Sequence, residues 1–193
     1  NSTYTPIVGE PLPSLATMPD SANYKFPDAN KTIAAGFQNL DNVIAVGSYV
    51  NRTKFTSCGG GIQDNGLTSG DKQSSSSIGP TRDGRIKPDI MSASATVLAA
   101  MEASTLAALI GSGSSKVGEG CMHTNAGATS NASPGVAGAV ALYLQQNPTA
   151  TTAQIKQAVI DNGLEDNVTG ATPNNSWGSV SYTHLTLPTT RCG

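Results

Sequence analysis

Gly127-Ala128-Thr129-Ser130-Asn131-Ala132-Ser133-Pro134-Gly135-Val136-Ala137-Gly138 leads from small polar residues into the longest apolar run of the chain, Val136 to Leu144. The pattern predicts a helix over Ser130–Gln146 that is apolar almost all round and therefore buried at the centre of the fold. Pro134 falls in its first turn, where a missing backbone N–H costs nothing, and Pro148 closes it. Gly135, Ala137, Gly138 and Ala139 keep the helix slim enough for close packing. A Ser at the mouth of such a helix meets free N–H groups and the positive end of the dipole, which favour negative charge. A Ser attacking a carbonyl creates that charge on the carbonyl oxygen. Ser130 or Thr129 equally suits a helix cap, the commonest use of these residues in that place.

Downstream, Thr151 with Gln154 makes a capping-box pattern that starts a second helix over Thr152–Asn162, with Gly163 at its C-terminal cap. Upstream, the β-branched run Asn42-Val43-Ile44-Ala45-Val46-Gly47 suits a buried strand. A second strand is expected near Asp89–Ala93, framed by Asp83-Gly84 and by Pro80 and Pro88. Residues 51–76 are polar and Gly-rich, with a turn signal at Asp64-Asn65-Gly66. Thr96–Ile110, rich in Ala, Leu and Met, reads as a helix, and residues 111–120 as a loop. Strands alternating with helices predict an α/β domain around a mostly parallel sheet.

The whole chain has 193 residues, enough for one ordinary domain. Its net charge of −2 with 11 basic residues leaves no footprint for nucleic acid or an anionic membrane. No apolar run approaches the ~20 residues of a membrane span. An apolar share of 37%, clustered in short runs, argues against disorder. Residues 1–39, with Pro6, Pro11, Pro13, Pro19 and Pro27, read as an irregular region, a remnant of an insertion. Asn1 without an initiator Met or signal-type segment leads us to expect a start inside a longer or processed protein, secreted or at the cell surface. Residues 179–193 are expected to be non-native, because from Val180 the chain resembles one translation frame of a transposase adapter used in DNA library preparation. His184 and Cys192 are therefore set aside. Cys58 and Cys121, 63 positions apart, fit neither a zinc cluster nor a CxxC motif; they either pair as a disulfide or stay as two small buried thiols. The N-x-[ST] triplets at Asn1, Asn30, Asn51, Asn131 and Asn167 are what an Asn/Thr-rich chain produces by chance.

Three ordered blocks carry a resemblance. Residues 127–138 resemble G-T-S-x-A-[SA]-P-x-V-A-G, the nucleophile motif of the subtilisin-like serine proteases. Val43-Ile44-Ala45-Val46-Gly47 is similar to that family's V-I-[AT]-V-G strand, and Ser77 through Ile90 to its S-S-x-G-P-T-x-D-G-R-I-K-P-D-I block. The stretch from Asn147-Pro148 to Trp177-Gly178 resembles its closing helix and W-G turn. The resemblance covers residues 40–178 and implies a C-terminal portion of a subtilisin-like α/β catalytic domain. It implies hydrolysis of protein or peptide substrates by a Ser-His-Asp triad, with Ser130 as nucleophile and its own N–H in the oxyanion hole. The family's D-[ST]-G and H-G-T-H-V-A-G blocks are absent, so this fragment alone is expected to be inactive.

Other residues fit triad or oxyanion roles poorly. His123 has no H-G-T-H context, and Phe37 replaces the Asn that an oxyanion reading of Ala34-Ala35-Gly36-Phe37 needs. Asp89 reads as a structural carboxylate at a strand start. Relatives often bind structural calcium, yet no carboxylate cluster here has ligand-like spacing, and no cofactor is identifiable. The chain departs from the family pattern in three places. Ala128 stands where relatives have Gly, a methyl that could obstruct a required φ > 0; Ser92-Ala93-Ser94 replaces A-P-G; and Asn131 replaces the frequent Met. These departures keep open an alternative reading, an inactive binding or scaffold module on the same fold.

Overall fold

A buried carboxylate organises the first strand pair. In the computed structural model, residues 36–163 and 165–179 are described, together with 16, 17 and 20. Most of the irregular N-terminal region and residues 180–193, with His184 and Cys192, lie outside them. The elements in order are β1 (Val46–Val50), β2 (Lys54–Thr56), β3 (Ile62–Asp64), β4 (Ile90–Ser94), β5 (Val97–Ala100), α1 (Ala103–Gly111), β6 (His123–Ala126), α2 (Thr129–Gln146) and α3 (Thr152–Asp161). β1 and β4 pair in parallel from Val46 opposite Ile90 to Val50 opposite Ser94. β2–β3 and β5–β6 are antiparallel pairs.

Asp89, just before β4, is buried. Its Oδ2 accepts from the Ala45 N–H at 2.7 Å and from Lys87 Nζ at 2.6 Å, and its Oδ1 from Lys156 Nζ at 2.8 Å. The Asp89 N–H donates back to the Ala45 carbonyl at 2.8 Å. The strand expected from Asn42 therefore begins at Val46, because the Asp89 side chain takes the amide of Ala45. Burial pushes the Lys87 ammonium below the usual lysine range, against the opposing pull of Asp89. A buried charge of this kind is tolerated only because it is paired and hydrogen-bonded.

Two apolar clusters sandwich the β1–β4 pair, giving the expected α/β layering. Ile90, Val136 and Val159, with Ile44, Val46 and Val140 against them, join the pair to α2 and α3. Gly135 allows the close approach on this side, since a Cβ there would lie 3.2 Å from Ser92 Oγ. Tyr49, Met91 and Trp177 form the opposite cluster. The Asn174 side chain holds the Trp177 turn by accepting from the Ser176 and Trp177 N–H groups. At Gly178 the backbone has φ 79° and lies so close to Pro88 and Asp89 that a Cβ would fall 2.5 Å from the Pro88 carbonyl oxygen.

Three expectations are corrected or resolved by tertiary context. Thr96–Ile110 is not one helix: Val97–Ala100 forms β5 because β6 offers it an antiparallel partner, and α1 starts only after Glu102. α2 has the expected extent within a residue, but only Ala132 and Val136 are buried in it; β1, β4 and α3 cover one side, and Leu142 on another is exposed. Cys58 and Cys121 are joined as a disulfide with Cα atoms 5.0 Å apart, linking the β2–β3 connection to the segment before β6. Closing a loop of that length removes roughly 4 kcal/mol of unfolded-state entropy in the chain-entropy account. No helix of the described residues is long and apolar enough to cross a membrane.

Two outcomes follow from these contacts. Asp89→Ala strands two cations around a buried site and is expected to cost about 3–5 kcal/mol in urea unfolding. Lys156→Ala, which leaves the Lys87–Asp89 pair intact and removes a partly exposed partner, is expected to cost clearly less. At α1, the Glu102 carboxylate caps the Ser104 and Thr105 N–H groups, and bonds from Ser104 and Thr105 lower its pKa to about 2. Because the folded value lies below the ordinary one, capping is complete above the ordinary value and is lost as pH falls through about 2. Exchange protection of the Ser104 and Thr105 amides should persist down to about pH 3. Glu102→Gln should remove this pH dependence.

Candidate active site

Ser130 sits where the end of β4, the start of β5 and the N-terminus of α2 meet. Ser130 is the second residue of α2 and is exposed, and its hydroxyl makes no hydrogen bond among the described residues. The N-cap position belongs to Ala128, and no side chain caps the helix. The reading of Ser130 or Thr129 as a simple cap therefore finds no support in the hydrogen bonding. Of the first-turn N–H groups, that of Asn131 is taken by the Ala128 carbonyl, which leaves those of Thr129 and Ser130 for another acceptor, with the positive end of the dipole beside the Ser130 hydroxyl.

The backbone leading to Ser130 is strained. Ala128 has φ 64° and ψ 179°, a region populated essentially by Gly. The positive φ expected at this position is present, and the methyl does not prevent it. Ala95 (φ 43°) and Thr96 (φ 55°) form the bend between β4 and β5, and Gly127 packs on it: a Cβ on Gly127 would lie 3.7 Å from Ala95 Cα. A β-branched Thr with positive φ is a true outlier. Three non-Gly residues of this kind at one junction store roughly 1–3 kcal/mol each.

Two side chains grip the strained peptide. Ser94, fully buried at the end of β4, donates its hydroxyl to the Ala128 carbonyl at 2.7 Å. Asn131 donates its side-chain amide to the Gly127 carbonyl at 2.7 Å, and its N–H to the Ala128 carbonyl at 3.0 Å. Sequence reading marked Ser94, Ala128 and Asn131 as departures from a pattern but gave no sign that they touch. Nothing in Ala95-Thr96, which lacks Gly and Asn, signals a left-handed bend.

The other weighed residues are not brought to Ser130. His123 opens β6, whose rise alone puts it about 10 Å from Ala126. It lines a cavity with Asn51, Arg52, Thr96, Val97 and Leu98, to which no residue of α2 contributes. Asp89 lies at the opposite end of β4 from Ser94, some 16 Å along the strand, held in its own ion pairs. Gly36–Asn39 form a short 3-10 turn with Phe37 exposed. Among the described residues no group of three or more His, Cys, Asp or Glu side chains could hold a metal ion.

A family model described as the subtilase family covers residues 10–180, and so takes in residues 10–39 upstream of the motif blocks. No curated protein matches the chain.

The strain at Ala128 is measurable. Ala128→Gly removes roughly 1–3 kcal/mol of backbone strain and gives back about 0.4–1 kcal/mol through greater freedom of the unfolded chain. A net gain on the order of 1 kcal/mol is expected, read as a higher urea midpoint at unchanged slope. A loss of stability would show that the Ala128 backbone is not strained.

Proposed function

Because the chain belongs to the subtilase family, a family of serine-protease type acting on proteins or peptides, we propose that it is part of a secreted serine endopeptidase with Ser130 as nucleophile. The observation that carries this reading is the exposed Ser130 hydroxyl at an uncapped helix N-terminus, reached through a strained peptide. Ser130 Oγ attacks the substrate carbonyl while a general base takes its proton. Negative charge then builds on the carbonyl oxygen, where the Ser130 N–H and the helix dipole stabilise it. Collapse of that intermediate releases the amine and leaves an acyl-enzyme, which water hydrolyses.

The general base of this reading is a His, oriented by an Asp, in the D-[ST]-G and H-G-T-H type blocks, neither of which the sequence contains. Residues 40–178 act as the C-terminal portion of the catalytic domain. Without a base the hydroxyl stays protonated, and loss of triad members lowers kcat by on the order of a million-fold. The 193-residue chain by itself is therefore inactive in this account. A second reading, in which the fold serves as a binding module, rests on Ala128, a methyl where relatives have hydrogen.

A form extended upstream through the Asp and His blocks, treated with a fluorophosphonate probe, separates the two readings. The protease reading expects covalent labelling that Ser130→Ala abolishes. A well-folded extended form that takes no label would instead support the binding module.

A further inference from the structure

We infer that Ser94 and Asn131 are positioning residues that brace Ala128 in its left-handed conformation and so aim the first turn of α2, a reading that rests on Ser130 as the nucleophile. The two torsions that place Ala128 join it to two peptide groups, and each of those groups is held from outside. The Asn131 side chain holds the Gly127 carbonyl on the φ side at 2.7 Å. The Ser94 hydroxyl holds the Ala128 carbonyl on the ψ side at 2.7 Å, helped by the Asn131 N–H at 3.0 Å. A non-Gly residue persists in such a region only when its surroundings over-determine it.

The geometry links three departures that look independent in the sequence. With Gly at 128 the backbone would adopt φ 64° and ψ 179° at little cost, and no brace would be required. With Ala there, the preferred relaxation is rotation to negative φ, which would turn the Ala128–Thr129 peptide and re-aim the Thr129 and Ser130 N–H groups. A Gly at 94 has no hydroxyl to oppose that rotation, and a Met at 131 has no amide to hold the Gly127 carbonyl. Ser94 is fully buried and 34 positions from Ala128, so its contact is a tertiary one that exists only while β4 and α2 are docked.

Amide hydrogen exchange on the 193-residue chain reads the brace without any need for activity. The Asn131 N–H is the reporter, since its acceptor is the braced Ala128 carbonyl. Ser94→Ala removes one hydrogen bond of ordinary strength, so exchange at Asn131 is expected to quicken about tenfold while amides in β1 and α3 hold their protection. Adding Ala128→Gly to Ser94→Ala should restore protection, because Gly holds the same backbone unaided. Asn131→Leu should loosen the same turn, reported by the N–H of residue 131 itself, and should be rescued in the same way. Rescue of this kind separates a brace from a general packing role, which removing the Ala128 methyl would not repair. Unchanged exchange in Ser94→Ala, or loosening that Ala128→Gly leaves uncorrected, overturns the proposal. In the extended form, Ser94→Ala should slow fluorophosphonate labelling and Ala128→Gly should recover it. An extended form that never labels overturns the nucleophile reading alone, since the exchange result does not depend on it.

Discussion

The Asp89 carboxylate, buried between two lysines and an amide, is the constraint from which the rest of the architecture follows. Its partners come from three separate places: Ala45 before β1, Lys87 two residues upstream, and Lys156 in α3. Leaving the Asp89 or Lys87 charge buried and unpaired is expensive, so the segments that carry their partners are held together. The bonds between Asp89 and Ala45 also fix register, because they set Val46 opposite Ile90, and a slip of one residue would turn every side chain of β4 to the other face. Ser94 then falls at the far end of β4 on the side of α2, where its hydroxyl reaches the Ala128 carbonyl. The geometry around Ser130 is thus inherited from an ion cluster a full strand length away. The last described residue belongs to the same assembly, with the Ser179 N–H donating to the Asp89 carbonyl at 3.2 Å.

How much of this could be read in advance depends on whether the deciding contact is local. The Thr151–Gln154 capping box needs only three residues of separation, and it forms as the pattern implies. The run from Thr96 to Ile110 misleads because its Ala, Leu and Met favour a helix, whereas the outcome at Val97–Ala100 is decided by β6 more than twenty residues on. The disulfide stayed undecided for the same reason, since pairing depends on the 5.0 Å between two Cα atoms and not on spacing along the chain. At the site, the Ala128 methyl was legible as a conflict with positive φ. Its resolution by Ser94 and Asn131 was not, because no local pattern reports a hydroxyl arriving from another strand.

α2 shows the limit of composition from the other direction. A helix apolar all round implies cover on every side. In the structure the stripe Ala132, Val136 and Val140 meets the sheet and α3, while Leu142 is open. The apolar composition is therefore more than the described contacts use, and propensity accounts for little of it, since Gly135 and Gly138 each weaken a helix relative to Ala. Gly135 has a visible reason in the close approach of Ser92; the described neighbours give none for Gly138.

The strained junction weighs on the choice between protease and binding module. A surface kept only for binding places no demand on the peptide before Ser130, and the simplest sequence at such a turn would cap the helix with Ser, Thr, Asn or Asp at the N-cap, each worth about 1 kcal/mol relative to Ala. Here the N-cap is Ala, the favourable cap is forgone, and a backbone torsion costing roughly 1–3 kcal/mol is held by a buried hydroxyl and a side-chain amide. Stability given up at one turn, with tertiary contacts holding the result in place, is what a directed hydroxyl and free N–H groups require. A cap would occupy those N–H groups. The arrangement fits the proposed role of the helix mouth in stabilising charge on a substrate, with two departures from the family pattern, Ser94 and Asn131, bonded to the peptide groups on either side of a third, Ala128.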